Sequence, residues 1–342
     1  MLIRKSWRSL LSCSAVFLLL ILFVASIAWG AVSIPLAKVM SALQNPDLAN
    51  SATAKIIWQF RLPQAITAVL AGASLSVSGL QMQTLFQNPL AGPFVLGISA
   101  GSSLGVALLV LTGWEVWGSF PIVVASGAGA FAVLVLLLLA VRWVKSGNTL
   151  LVLGLLLGYI ANGLVSILFQ FTNSDRLRNF INWTLGSFSN VTWAQIPIMA
   201  VVISLGLLLS LAITQPLNAL LLGESQARTL GVSLTWLRFW LLVSTALLTG
   251  SVTAFCGPIA FIGVVVPHLC RLLWRTSEHR QLWLTTLLVG SSLALVADLG
   301  TRVLGNGIIL PLNGITALIG TPIMIWLILV RNSAGDAQKW YL

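Results

Sequence analysis

Gly223-Glu224-Ser225-Gln226-Ala227-Arg228-Thr229-Leu230-Gly231 is a polar island between two strongly apolar stretches. Glu224 precedes Arg228 by four residues, the order that supports an i,i+4 pair on a helix. The acid stands near the start and the base near the end, in line with the helix dipole. Gly231 is a suitable C-terminal stop. The spacing predicts a short polar helix at about residues 222–232. It is too short to cross a bilayer, so it is expected to lie along a membrane face, in the connection from Thr214 to Arg238. A connection of that length with a helix of its own commonly has a task.

The chain on either side explains why a membrane enters the argument. Of 342 residues, 58% are apolar and only 7% are charged, against about a quarter in soluble domains. That composition excludes a cytosolic enzyme, a disordered chain and a secreted disulfide scaffold, though not a membrane-embedded enzyme. With about 20 apolar residues per span, ten spans are expected: Leu10 to about Trp29, then 64–84, 94–112, 119–141, 149–171, 193–213, 236–255, 258–273, 282–303 and 310–330. The first run exceeds a signal-peptide core in length and is expected to be a retained helix. Pro63 suits the first helical position of the second span. The fold class is therefore all-α and polytopic, a single transmembrane domain over residues 1–342.

The net charge of +11 is spread as loop charges, with no basic run interleaved with aromatics, so no nucleic-acid partner is expected. Placing both termini in the cytoplasm puts twelve Lys and Arg inside, Lys145 and Lys339 among them. Six fall outside: Lys38, Lys55, Arg61, Arg176, Arg178 and Arg302. Cys13, Cys256 and Cys270 form no CxxC pair, and there is no HExxH. None of the five lysines completes a P-loop, so any ATP must be hydrolysed elsewhere. The one deep carboxylate, Asp298, has Arg302 four residues on. Either the two form an internal ion pair, or Asp298 couples an ion gradient in a secondary carrier.

The polar island resembles the coupling helix of permease subunits of type II ABC importers, the iron-chelate and cobalamin permease family. Arg61-Leu62-Pro63, Asn88-Pro89-Leu90-Ala91-Gly92-Pro93 and Leu96-Gly97-Ile98-Ser99-Ala100-Gly101 are similar to its second and third helices. Gly257-Pro258-Ile259-Ala260-Phe261-Ile262-Gly263 with Val266-Pro267-His268 resembles its eighth. Ala297-Asp298, Arg302, Gly314-Ile315-Thr316-Ala317 and Gly320-Thr321-Pro322 resemble its last two.

The resemblance implies a type II importer permease fold in a bacterial inner membrane. It also implies a second permease subunit (a homodimer), two ATPase subunits that hold ATP and Mg, and a periplasmic or lipid-anchored binding protein. The chain itself is expected to hold no cofactor or metal and to make no covalent bond. Its substrate is expected to be a ferric siderophore, with haem or cobalamin as the alternative. Gly223, Glu224, Ser225, Ala227, Arg228, Leu230 and Gly231 would couple to the ATPase. Arg61 and Arg302, with Lys55, would dock the binding protein, although Gln64, Gly92 and Ile309 depart from the family pattern there. Ser146-Gly147-Asn148-Thr149 falls where the family places a gate. The same turn could equally be a helix cap made by Asn148 or Thr149. Asn88, Gly97 and Gly101 are assigned to the path, and the glycines alternatively to close helix packing. Gln81, Gln83, Asn162 and Gln170 are expected to bond between helices.

Overall fold

The computed structural model describes residues 2–30, 34–44, 52–113, 120–144, 146–305 and 308–333. Lys145 and Lys339 lie outside the described residues. The described residues contain no strand. In chain order the helices are α1 Leu2–Ala28, α2 Leu36–Gln44, α3 Ala52–Lys55, α4 Leu62–Leu85, α5 Ile98–Leu111, α6 Phe120–Val141, α7 Gly147–Gln170 and α8 Ser174–Thr184. They continue with α9 Ile196–Ala212, α10 Thr214–Leu220, α11 Glu224–Thr229, α12 Leu234–Thr245, α13 Ser251–Cys256, α14 Ile262–Trp274, α15 His279–Val303 and α16 Leu312–Ser333.

Six of these runs are long and apolar enough to cross a membrane. The α9–α10 pair, bent by 50°, makes a seventh, and α5, α14 and α16 are shorter apolar helices. Each of the ten expected spans coincides with one of them. The differences are local. The second span does not begin at Pro63. Helix runs unbroken from Ala52 to Leu85, with a π turn at Ile56–Arg61 just before the proline. A proline lacks the N–H that an interior helical position donates, and the widened turn absorbs that loss. The expected span 258–273 is broken: α13 ends at Cys256, and helix resumes only at Ile262. Gly257 (φ +76°) and Phe261 (φ +70°) stand in the left-handed region, and Pro258 disfavours helix at the residue before it. The third span likewise opens with a 3-10 turn, Pro93–Leu96, that hands over to α5 through Gly97.

Helix α4 is the axis of the bundle. It is buried on nearly all sides, its serines, threonines and glutamines included, and it packs on α15, α14, α9 and α1. The approach to α14 is so close that a Cβ on Gly79 would lie 1.7 Å from the carbonyl oxygen of Gly263. Its serines bond to neighbouring backbones: Ser74 donates to Leu248 O and Ser76 to Thr286 O, both at 2.8 Å. Small residues allow backbone contact, and hydroxyls then find acceptors across the helix pair.

Candidate functional site

The polar island folds as expected in kind but not in detail. The connection from Thr214 carries two helices, α10 and α11, and the second spans only Glu224–Thr229. Gly223 (φ +101°) and Gly231 (φ +85°) bracket it in left-handed backbone that a side chain would strain. At its C-terminus Val232 N–H bonds Ala227 O and Gly231 N–H bonds Arg228 O, each at 3.0 Å. That is the 6→1 and 5→2 closure of a Schellman motif. Ala227, expected in the coupling segment, is the buried contact that seats the helix on the bundle. Ser225, Arg228, Leu230 and Gly231 face outward, with Leu230 62% exposed.

Glu224 does not pair with Arg228. Its Oε1 accepts from Arg238 Nη2 at 2.7 Å and from the backbone N–H of Gly147 at 3.2 Å. Arg238 explains the choice: its side chain is only 4% exposed, and a buried guanidinium demands a carboxylate more than a solvated one does. Arg238 Nη1 also donates to Val144 O at 3.1 Å. One carboxylate thus joins α11, the start of α7 and the first turns of α12. Among the described residues Arg228 has no acidic partner, and it projects from the last turn.

The expected gate lies in this cluster. Ser146, not Asn148 or Thr149, caps α7, with its Oγ accepting from Thr149 N–H at 3.2 Å. Ser146 has the extended backbone of an N-cap, and Glu224 then satisfies the N–H of Gly147, another free donor of the first turn. Asn148 and Thr149 remain exposed. A Cβ on Gly147 would lie 2.8 Å from Leu85 O, so the end of α4 joins the same junction. Asn88 is exposed just beyond and accepts from Leu90 N–H at 2.9 Å, closing its own turn.

Gly97 and Gly101 stand at close helix contacts, the packing arrangement that was their alternative to the path. A Cβ on Gly97 would meet Gly154 O at 2.6 Å, and one on Gly101 would meet Gly129 O at 2.6 Å. Both lie between helices of this chain. The open polar surface is instead on α7. Gly154, Gly158, Ala161 and Val165 form its buried side, while Tyr159, Asn162, Ser166 and Gln170 are exposed. At about 100° per residue these four share one arc with Asn148, with the exposed apolar Val152 and Leu155 between Asn148 and Tyr159. Leu156, Ile160, Leu164 and Ile167 form a separate apolar face, also exposed. Among the described residues, Asn162 and Gln170 therefore bond to no other helix of this chain. Tyr159 and Ser166 gave no sign in the sequence beyond their helical register.

At the far end of α7 the arginines expected to dock a partner are turned inward. Arg61 is 5% and Arg302 8% exposed. Arg61 Nη1 donates to Ile27 O and Ala28 O, both at 2.8 Å. Arg302 pairs with Asp298 and donates to Ser26 Oγ at 2.8 Å. Asp298 Oδ1 accepts from Gln64 Nε2 at 2.7 Å. The family contrast at Gln64 thus has a structural use: a neutral amide donates to the carboxylate where a second cation would crowd Arg61 and Arg302. Lys55 alone of the three docking candidates is exposed. Asp298 has both oxygens engaged, which is the internal-pair arrangement. No three His, Cys, Asp or Glu side chains gather as a metal site among the described residues.

The chain resembles known proteins along nearly its whole length. The model of the FecCD transport family matches residues 18–330. The vitamin B12 import system permease protein BtuC of Klebsiella pneumoniae is 38% identical over 279 residues, 82% of this chain and 84% of that one. BtuC of Escherichia coli O157:H7 is also 38% identical, over 80% of this chain and 83% of its own. A solved structure, described as an inward-facing conformation of a transporter assigned to the metal-chelate ABC type, superposes with a TM-score of 0.83. It shares 29% identity and covers 93% of this chain and 98% of its own. PsaBC from Streptococcus pneumoniae, at 17% identity and a TM-score of 0.52 over 84% of this chain and 94% of its own, shares the fold alone. With the helix order, the α11 junction and these likenesses together, the chain belongs to the FecCD transport family.

Proposed function

We propose that this chain is the membrane-spanning permease subunit of an ATP-driven importer of a cobalamin-class chelate. The observation that carries the substrate class is the 38% identity to vitamin B12 permeases over more than four-fifths of both chains. It favours cobalamin over the ferric siderophore that the sequence motifs led us to expect. In this reading α11 lies on the cytoplasmic side and both termini are cytoplasmic, in keeping with the excess of Lys and Arg in those segments. A pair of ATPase subunits grips the exposed Leu230, Arg228 and Ser225. Glu224 then passes their displacement to α7 and α12 at once, through Gly147 and Arg238.

Two copies of the chain would face each other across their α7 stripes. Tyr159, Asn162, Ser166 and Gln170 offer neutral hydrogen-bonding groups to a large amphipathic solute without a strong binding site, so release stays easy. A binding protein would deliver the solute at the α8 end. The internal pairing of Asp298 supports this reading over an ion-coupled carrier, which needs a carboxylate free to take up its ion.

The test is uptake into proteoliposomes containing the permease, its cognate ATPase and its binding protein. Cyanocobalamin should accumulate with ATP and be unaffected by an uncoupler. Uptake that persists without ATP and collapses with the uncoupler refutes the importer. Uptake of a ferric siderophore, with cyanocobalamin ignored, refutes the substrate class.

A further inference from the structure

The interruption at residues 257–261 leaves backbone polar groups inside an apolar bundle. In a membrane such groups must be satisfied by protein. One side chain does much of this. Asn313, in the first turn of α16, accepts from Ala260 N–H through Oδ1 at 3.0 Å. Its Nδ2 donates to Pro258 O at 2.7 Å and to Thr184 O at 3.0 Å. Its own backbone N–H donates to Leu185 O at 3.2 Å. Thr184 and Leu185 close α8, whose last carbonyls have no partner within the helix. Asn313 therefore caps α8 from another part of the chain while holding the broken segment after α13.

The same junction is drawn tight by backbone contact. Ser187 N–H donates to Cys256 O at 2.8 Å. A Cβ on Gly257 would lie 2.4 Å from Trp183 O, and Gly257 and Gly186 both have left-handed φ angles. Neither backbone could shift to relieve a side chain placed there.

The connectivity makes this more than a local cap. Helix α7 leads directly into α8, and α12 leads through a π turn into α13 and the broken segment. At one end the starts of α7 and α12 are joined by Glu224. At the other, beyond α7, whose 24 residues span about 36 Å, their continuations are joined by Asn313. Between the two joints the runs pack chiefly through α5 and α6.

We propose that Asn313 is the positioning residue that locks α8 to the α12–α13 run, so that a push on Glu224 at one membrane face moves α8 at the other. The two helical runs form a frame clasped at both ends. Asn313 touches no solute; it decides whether displacement of the frame reaches α8. This rests on the import reading above.

The test uses the full transporter with its ATPase in lipid. Asn313→Asp keeps the size and the acceptor for Ala260 N–H but loses both donated bonds and sets a carboxylate against two carbonyl oxygens. Amide exchange across residues 181–187 should quicken about tenfold, with exchange across Leu62–Leu85 unchanged. Cyanocobalamin moved per ATP hydrolysed should fall about fivefold or more, while ATP hydrolysis itself continues. If Asn313→Asp does not assemble, Asn313→Ala, which removes both donated bonds and also the acceptor for Ala260 N–H without adding charge, is read in its place. Exchange at 181–187 equal to wild type, or an unchanged ratio of solute to ATP, overturns the proposal. Should the wild type show no ATP-driven uptake, the import reading fails, and the exchange measurement still judges the clasp.

Discussion

Replacing Glu224 with alanine removes the one group that ties α11, α7 and α12 together. Two contacts are lost, at 2.7 Å to Arg238 Nη2 and at 3.2 Å to the N–H of Gly147. Bonds to charged groups contribute about 1.5–3 kcal/mol. The Glu224 side chain is 30% exposed, so water recovers part of the loss on its own side. Arg238, almost wholly buried, keeps its bond to Val144 O but loses its counter-charge. A net weakening of the junction by about 2 kcal/mol follows, about thirtyfold in its opening equilibrium. Amide exchange of residues 146–150 in the assembled transporter reads this directly, because the Gly147 N–H is one of the two bonds. Glu224→Gln should fall between wild type and alanine, since it keeps an acceptor but no charge. Arg238→Met in the Glu224→Ala background should add little, because the pair is already broken. Exchange within about threefold of wild type, or fully additive effects of the two substitutions, would refute the account of Glu224 as the joint.

Three further outcomes are expected. Leu230→Asp should lower co-purification of the ATPase about tenfold or more while the permease alone keeps its thermal stability; equal recovery of the ATPase would show that the exposed face of α11 is not its grip. Asp298→Asn leaves Arg302 buried beside a neutral amide and should destabilise the permease by about 3 kcal/mol, read as a lower midpoint of thermal unfolding. The folded fraction should still transport with full dependence on ATP, whereas uptake lost at undiminished stability would restore the ion-coupled carrier. Asn162→Cys and Ser166→Cys should react with a water-soluble, membrane-impermeant thiol reagent in the assembled transporter, and Ile160→Cys should not. Equal reaction at all three would remove the polar stripe from the path.

Much of the architecture was legible in the residues because a bilayer imposes a simple rule: about 20 apolar residues per crossing. That rule placed ten spans, and the low charge content excluded the soluble classes. The polar island stood out for the same reason, since Glu224, Arg228 and two glycines between long apolar runs have few other places to go. Its partner did not stand out. Arg238 reads as one more cytoplasmic charge, and only the folded chain shows it buried and facing Glu224 across fourteen residues of sequence. The nearer pairing with Arg228 was the reasonable local expectation, and it lost because an exposed guanidinium can stay in water while a buried one cannot.

The inward turn of Arg61 and Arg302 was hidden for a related reason. Periodicity places them at the ends of spans, but which side of the helix meets α1 and which meets water is set by packing among helices far apart in sequence. The same holds for the glycines. Gly97, Gly101, Gly154 and Gly158 follow a small-residue spacing that suits both a close contact and an open path, and tertiary contact alone separates the two. Helix α7 shows the complementary case: Tyr159, Asn162, Ser166 and Gln170 share a stripe computable from sequence, yet their exposure depends on where α5 and α6 lie.

Sequence by itself determined the solvent, the order of the apolar runs and the class of the chain, because these depend on composition and on local runs of apolar residues. Tertiary structure alone decided which charges pair, which glycines are contacts, and that Asn313 joins α8, α16 and the broken segment. Those outcomes depend on hydrogen-bond partners and buried charges brought together from as far as 276 residues apart, and no local pattern encodes such a meeting.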